Sequence, residues 1–571
     1  MSSTSIDRPA YKEAEPRTNV EKNSQEEISY TNGDAPTPPP SYDHTHRKLK
    51  PRHIQLIGIG GTIGTALFVQ IGRALMKGGP GSLFIAFTFW CSVILCVNNS
   101  LSEMVTYLPV SSPFIRFAGR FVNESFGVAA GWNFFVFEAA LVPFEIVACT
   151  TILRYWSSTA VLPDGAIIAI CIVLYAAINL SIVKFYGESE FWLAITKLLL
   201  IVGLIIFTFI TMLGGNPLND RYGFRYWKDP GAFAQHYTND PPQLGRFLGF
   251  VACLIQASFT IAGPDYVAIT AGEAENPRKV MPRAFNAVFY RLTAFFVIGS
   301  LAVGIVVPYN DPTMRDAFLN GTPGAAASPY VIAMDRLKIS GLPHLVNAIV
   351  LMSAFSAGNS YVYCASRALY GLALDGRAPR VFTRCTRSGI PIYAVLLVLG
   401  FAFLAFLQVS NQASVVLSWF VSLVTASQLI NYSVISVTYL RFRKAIQAQG
   451  LQHELPHRAR WQPYTTYFAL CCTLFMVFFG GYEVFLKGNW DVPTFLFSYT
   501  MVGVFPIVYV GWKVVKRDRT QDPAEVDVFR MEKEQIDDYQ ESYVPAPDRY
   551  VVSVFLFFPG SARAIDADAF R

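Results

Sequence analysis

Roughly twelve apolar stretches, each long enough to cross about 30 Å of hydrocarbon, run through this chain. They lie near residues 54–76, 82–107, 129–152, 164–183, 190–213, 247–270, 290–308, 343–373, 392–409, 413–439, 464–486 and 494–515. Hydrocarbon offers no partner to backbone N–H and C=O groups, so such stretches must fold as helices that satisfy themselves. The predicted fold class is an all-α polytopic membrane protein with twelve transmembrane helices. Composition agrees: 15% of the 571 residues are charged, where soluble domains carry about 25%. Ser353, Ser356, Gly358 and Asn359 interrupt the stretch at 343–373, which leaves its exact span open.

Charge placement tests the count. Arg47, Lys48, Lys50 and Arg52 precede the first stretch, and Arg278, Lys279, Arg283 and Arg291 follow the sixth. Arg367, Arg377, Arg380, Arg384 and Arg387 follow the eighth, and Arg441, Arg443 and Lys444 the tenth. With twelve spans all these fall on one side, the cytoplasmic side by the positive-inside rule. Both termini are then cytoplasmic. The expected organisation is a disordered cytoplasmic tail over 1–50, a transporter domain over 51–516 and a second cytoplasmic tail over 517–571. The first 50 residues hold no apolar stretch, so no cleavable signal peptide is expected. The net charge of +6 makes no case for nucleic acid. Most of the nine cysteines fall within apolar stretches without C-x-x-C spacing, which argues for packing thiols and against a disulfide framework or a metal site.

Two of the stretches are broken. The first contains Gly58-Ile59-Gly60-Gly61-Thr62-Ile63-Gly64-Thr65, four glycines in seven residues. Non-helical backbone survives at this depth only where protein buries it or a polar cavity lines it; close helix packing through small residues is the competing reading. The sixth contains Ser258-Phe259-Thr260-Ile261-Ala262-Gly263-Pro264-Asp265, where proline removes a donor beside an intramembrane carboxylate. Breaks five helices apart point to a five-plus-five inverted-repeat core with two further helices, and to a solute bound between the breaks. A simple kink would explain Pro264 but not Asp265.

Intramembrane ionisable residues are functional candidates because each must be paired, neutral or wet. They are Glu138 and Glu145 in the third stretch, Lys197 in the fifth and Asp265 in the sixth. A proton relay is one reading. A static buried pair is the other, and it weighs more for Glu145, near Pro143. Glu103, at the end of the second stretch, reads as an interfacial structural residue. Phe259, beside the second break, could cap a solute or meet its amine through its ring face. No nucleophile–base or metal spacing supports an enzyme, and no cofactor is implied. Asn320-Gly321-Thr322 is a glycosylation candidate in the loop 309–342, whereas the matches at Asn98 and Asn431 lie in apolar stretches. In the first tail Pro39-Pro40-Ser41-Tyr42 has the P-P-x-Y form that docks in a WW-domain groove, with Lys12, Lys22, Lys48 and Lys50 nearby as ubiquitin candidates.

From His53 through Thr62-Ile63-Gly64-Thr65-Ala66-Leu67-Phe68 the chain resembles the opening of fungal amino-acid permeases of the APC superfamily. Ordered matches continue to about residue 515. They include Ser102-Glu103-Met104, Gly131-Trp132-Asn133, Ala271-Gly272-Glu273 with Asn276-Pro277-Arg278-Lys279, Ser356-Ala357-Gly358-Asn359-Ser360 and Tyr439-Leu440-Arg441-Phe442-Arg443. The resemblance implies a plasma-membrane permease that imports amino acids with protons by alternating access. It sets the substrate carboxylate against backbone N–H groups near Gly64, Thr65 and Ala66, with Ile63 beside them. The amine would meet carbonyls near Thr62, Phe259 and Ala262. Phe259 is the occluding aromatic, and Lys197 stands where sodium-coupled relatives hold an ion. Three departures stand out: Ala66 where the family usually has glycine, Phe259-Thr260-Ile261-Ala262-Gly263-Pro264-Asp265 where it usually reads F-S-F-x-G-T-E, and Glu138 where many relatives are uncharged. Glu138 suggests cationic or amine-bearing substrates, and Asp265 with Lys197 are the coupling candidates. The alternative function is a transport-deficient amino-acid sensor with the same fold.

Overall fold

The computed structural model describes residues 54, 64–110, 112–156, 161–180, 183–236, 241–320, 328–386, 389–526 and 528; for 183–191, 273, 319 and 320 it describes the backbone alone. Thr62, Ile63, Lys12, Lys22 and the Pro39–Tyr42 motif lie outside these residues, as does the side chain of Asn320. The described elements are helices and turns, with no strand among them.

The first helical run is a widened π-type turn, Ala66–Gln70, leading into α1, Ile71–Tyr107. Together they make 42 residues, about 63 Å at 1.5 Å per residue, too long for one crossing of about 30 Å. Gly79, at φ 78° and ψ 171°, and Pro80 divide the run. Gly79 must be glycine because positive φ places a Cβ against the backbone. The remaining spans are α2, Glu124–Leu153; α3, Asp164–Asn179; α4, Val183–Met212; α5, Pro242–Thr260, with α6, Pro264–Ile269. Then come α7, Pro277–Arg291, which runs through Leu292–Val297 into Ile298–Val306; α8, Leu342–Leu374; and α9, Ile392–Ala402. The last three are α10, Ala413–Ala448; α11, Tyr464–Phe479; and α12, Val492–Lys516. Nine helical runs among the described residues are long and apolar enough to cross a membrane, one of them the divided run, and α3 and α11 are shorter apolar helices. The twelve-span reading is met.

Two helices exceed their predicted spans at their basic ends. α10 continues past 439 through Arg441, Arg443 and Lys444, and α7 begins at Pro277 rather than near 290. Lysine and arginine are good helix formers in water, so a helix need not stop where the bilayer does. The serines and Gly358 that interrupted the eighth stretch leave α8 unbroken; they are small residues at a crowded helix contact. The core is lined by α2, with 83% of its apolar window buried, while α12 stands at the edge with 11%. At one end of the bundle Glu103 accepts from Tyr439 Oη at 2.6 Å and Ala459 N at 2.6 Å, which fits its reading as a structural residue. Beyond α12 the chain returns: Asp518 Oδ2 accepts from Ser125 N and Oγ at 2.9 and 2.8 Å, Gln521 N donates to Val122 O at 3.0 Å, and Val526 and Val528 are buried.

Candidate functional site

The sixth span is open between α5 and α6. Ile261 has extended backbone (φ −92°, ψ 100°) and Gly263 lies at φ 148°, ψ −37°, a conformation for which glycine is suited. Pro264 then starts α6 at the first-turn position proline tolerates. The break leaves the last carbonyls of α5 without intrahelical partners; Gln428 Nε2, from α10, reaches Ile261 O at 3.5 Å and donates to Tyr432 Oη at 2.9 Å.

At the other break Thr65 meets Glu145, for which the residues alone gave more weight to a static buried pair. Thr65 Oγ1 donates to Glu145 Oε2 at 2.7 Å, and Thr65 N to Glu145 Oε1 at 3.4 Å. A carboxylate of the chain therefore occupies the N–H group expected to take a substrate carboxylate. The approach is close enough that a Cβ built on Gly64 would lie 2.4 Å from Glu145 Oε1 and 3.3 Å from Ala357 Cβ. Gly358 likewise leaves room for Tyr175, whose hydroxyl would be 2.1 Å from an added Cβ. That explains why the Ser356–Ser360 run of α8 is small: it lies against the first break and its acid.

Between the breaks is a cavity of about 30 Å³, counted as space open to the centre of a water molecule. One water needs about 10–15 Å³ on that measure, so the walls close on room for very few waters. Gly64, Ala66 and Glu145 line one side, with Phe259 and Ala262 of the sixth span opposite. Phe144 and Phe259 pack edge to face with ring centres 5.2 Å apart. Tyr361, Tyr266 and Gln428 also line it. The aromatic cap expected at Phe259 is thus a wall of the cavity.

The four ionisable candidates fall into two groups. Lys197, buried on α4, acts electrostatically on Glu145. Glu138 and Asp265 interact with each other instead, both buried, with Tyr266 beside Glu138 and Tyr432 facing both. Glu138 does not line the cavity, although its neighbour Phe137 does. The wall residues missed in the sequence include Phe144, Tyr361 and Gln428. Each sits in a helix that is apolar nearly all round, where periodicity cannot single out one face.

Residues 53–524 match the Amino acid permease family. The chain is 49% identical over 509 residues to the general amino acid permease AGP2 of Saccharomyces cerevisiae, covering 87% of this chain and 84% of that one. It is 41% identical over 490 residues to a proline-specific permease of Emericella nidulans, covering 85% and 88%. It is also 36% identical over 503 residues to a lysine-specific permease of Saccharomyces cerevisiae, covering 86% and 81%. A family match over most of the chain, with the helical fold above, makes this multi-pass membrane protein a member of the amino acid permease family.

Proposed function

We propose that the chain imports amino acids across the plasma membrane together with protons, by alternating access around the two breaks. The observation that carries this reading is Glu145 on Thr65. An N–H group at an open helix end favours an anion, and the side-chain carboxylate there can give way to the α-carboxylate of an amino acid. Displaced from Thr65, Glu145 stays in the cavity wall near Lys197, where it can meet the substrate amine. The carbonyls freed at Ile261 and Ala262 offer the amine a second set of acceptors. Phe259 and Phe144 then close over the solute.

A carboxylate in the wall supports the expectation of amine-bearing or cationic substrates, and the acid in contact is Glu145 rather than Glu138. The relatives carry names as different as proline-specific and lysine-specific, so substrate choice is a matter of side-chain detail around a common site. The basic loops argue for cytoplasmic termini. The test is uptake of labelled arginine, proline and glutamate in cells lacking their own permeases, with and without a protonophore. Concentrative uptake that the protonophore abolishes supports the reading. Uptake indifferent to the protonophore overturns the proton part, and a chain that reaches the surface yet carries none of the three favours the sensor.

A further inference from the structure

Glu138 and Asp265 are a pair of buried carboxylates without a counter-charge among the described residues. Glu138 is 0% exposed and Asp265 1%. None of their four oxygens makes a hydrogen bond of ordinary geometry. The nearest donors are the Tyr266 hydroxyl for Glu138, and the N–H groups of Gly263, Asp265 and Tyr266 for Asp265. Among the described residues no lysine, arginine or histidine is paired with either acid. The groups facing them from the other packed helices are Tyr432 of α10 and, around Tyr266, Tyr361 and Cys364 of α8.

Position matters as much as burial. Glu138 and Glu145 are seven residues apart on α2, two turns of one face and about 10 Å along the axis. Glu138 thus lies nearer the start of α2 than Glu145, next to Phe137 of the cavity wall. Asp265 lies in the first turn of α6, past the break and next to Tyr266 of the wall. Charge placement in the loops makes that end of the bundle the cytoplasmic one. Two links lead back: Tyr266 both lines the cavity and adjoins Glu138, and Gln428, also in the wall, donates to Tyr432.

Two unpaired carboxylates in one dry pocket cannot both be ionised, since like charges and desolvation oppose the second charge. We propose that Glu138 and Asp265 together are the proton-carrying site of the transport cycle, set beside the cytoplasmic end of the amino-acid cavity. The pair holds one proton throughout. It binds a second at the singly charged stage, becoming two neutral carboxyl groups, and releases that proton inward with the substrate. One zwitterionic amino acid then moves with one H⁺, and the site returns to a single negative charge. Tyr266 and Tyr432 connect cavity occupancy to the pair. This rests on the proton-symport reading above, and it assigns Lys197 and Glu145 to the substrate rather than to the proton.

The test uses full-length protein in liposomes with an internal pH dye and whichever of labelled arginine, proline and glutamate the wild type accumulates most. Two quantities are read: accumulation driven by an imposed pH gradient, relative to exchange at equal pH, and protons entering per substrate. Glu138→Gln and Asp265→Asn are expected to lower the accumulation-to-exchange ratio by about tenfold or more and to abolish the dye signal. Glu138→Asp, which keeps a carboxyl group, is expected to restore both in large part. A lost ratio without that rescue, or either neutral variant accumulating with wild-type proton entry, overturns the paired site while leaving symport intact. Wild-type transport indifferent to the gradient overturns symport itself and the pair with it. Should the neutral variants not be recovered, Glu138→Asp alone decides: an altered pH dependence of accumulation supports the pair, and a wild-type profile refutes it.

Discussion

Replacing Gly64 by alanine tests the first break at its tightest point. The added methyl would lie 2.4 Å from Glu145 Oε1, whereas ordinary contact begins near 3.4 Å. The carboxylate must therefore retreat by about 1 Å. Thr65 N–Oε1, already 3.4 Å, is lost, and the 2.7 Å bond from Thr65 Oγ1 to Oε2 stretches beyond hydrogen-bonding range. A hydrogen bond to a charged group contributes about 1.5–3 kcal/mol, which at about 1.4 kcal/mol per tenfold is a ten- to hundredfold disturbance of the closed break. The same methyl stands where a substrate carboxylate must approach, so both occupants of Thr65 are affected. Initial rates of labelled amino-acid uptake in permease-deficient cells, corrected for surface protein, are expected to fall by about tenfold or more. Adding Glu145→Asp, one methylene shorter, should recover part of the loss by relieving the clash. Wild-type uptake by the Gly64→Ala protein would refute the close approach of Glu145 to the break and the role given to it.

Phe259→Leu removes an edge-to-face ring pair worth about 0.5–1.5 kcal/mol, and KM in the same uptake assay should rise about two- to tenfold with surface abundance unchanged. Glu483 joins Lys77 at 2.9 Å and His236 at 3.3 Å in the loop between α11 and α12; burial works against its charge, but Lys77 and His236 outweigh burial and hold the carboxyl below the usual carboxylate range. A depressed folded value stabilises above the unfolded pKa and loses that contribution as pH falls. Melting of the purified protein should thus drop more steeply below about pH 4.3 for wild type than for Glu483→Gln, and equal slopes would contradict the ion pair. Asp518→Ala removes the acceptor for two groups of Ser125 at the start of α2 and is expected to cost about 1 kcal/mol, read as a lower Tm; an unchanged Tm would mean that the returning segment does not hold α2.

The sequence showed the spans clearly because hydrocarbon demands long apolar runs, and it showed the breaks because glycine and proline mark backbone that leaves the helix. Gly263 at positive φ and Pro264 opening α6 are of that kind. What the sequence hid was which charges meet. Lys197 and Asp265 both read as coupling candidates from depth alone, with nothing to say which charges meet; helix packing sets Lys197 to act on Glu145 and Asp265 on Glu138. For Glu145 the static buried pair weighed more than a functional role, because nothing local ties residue 145 to residue 65. That contact is made by the approach of α2 and α8 to the first break, through Ala357 and Gly358. Phe144 and Gln428 were illegible for a related reason: in helices that are apolar on every face, a wall residue has no pattern that marks it.

A structure with the transported amino acid bound tests the central claim most directly. The account predicts that the substrate carboxylate will lie about 2.9 Å from Thr65 N, with Glu145 displaced from that group and Phe259 closed over the solute. Glu145 still bound to Thr65, with the amino acid held elsewhere in the bundle, would contradict it.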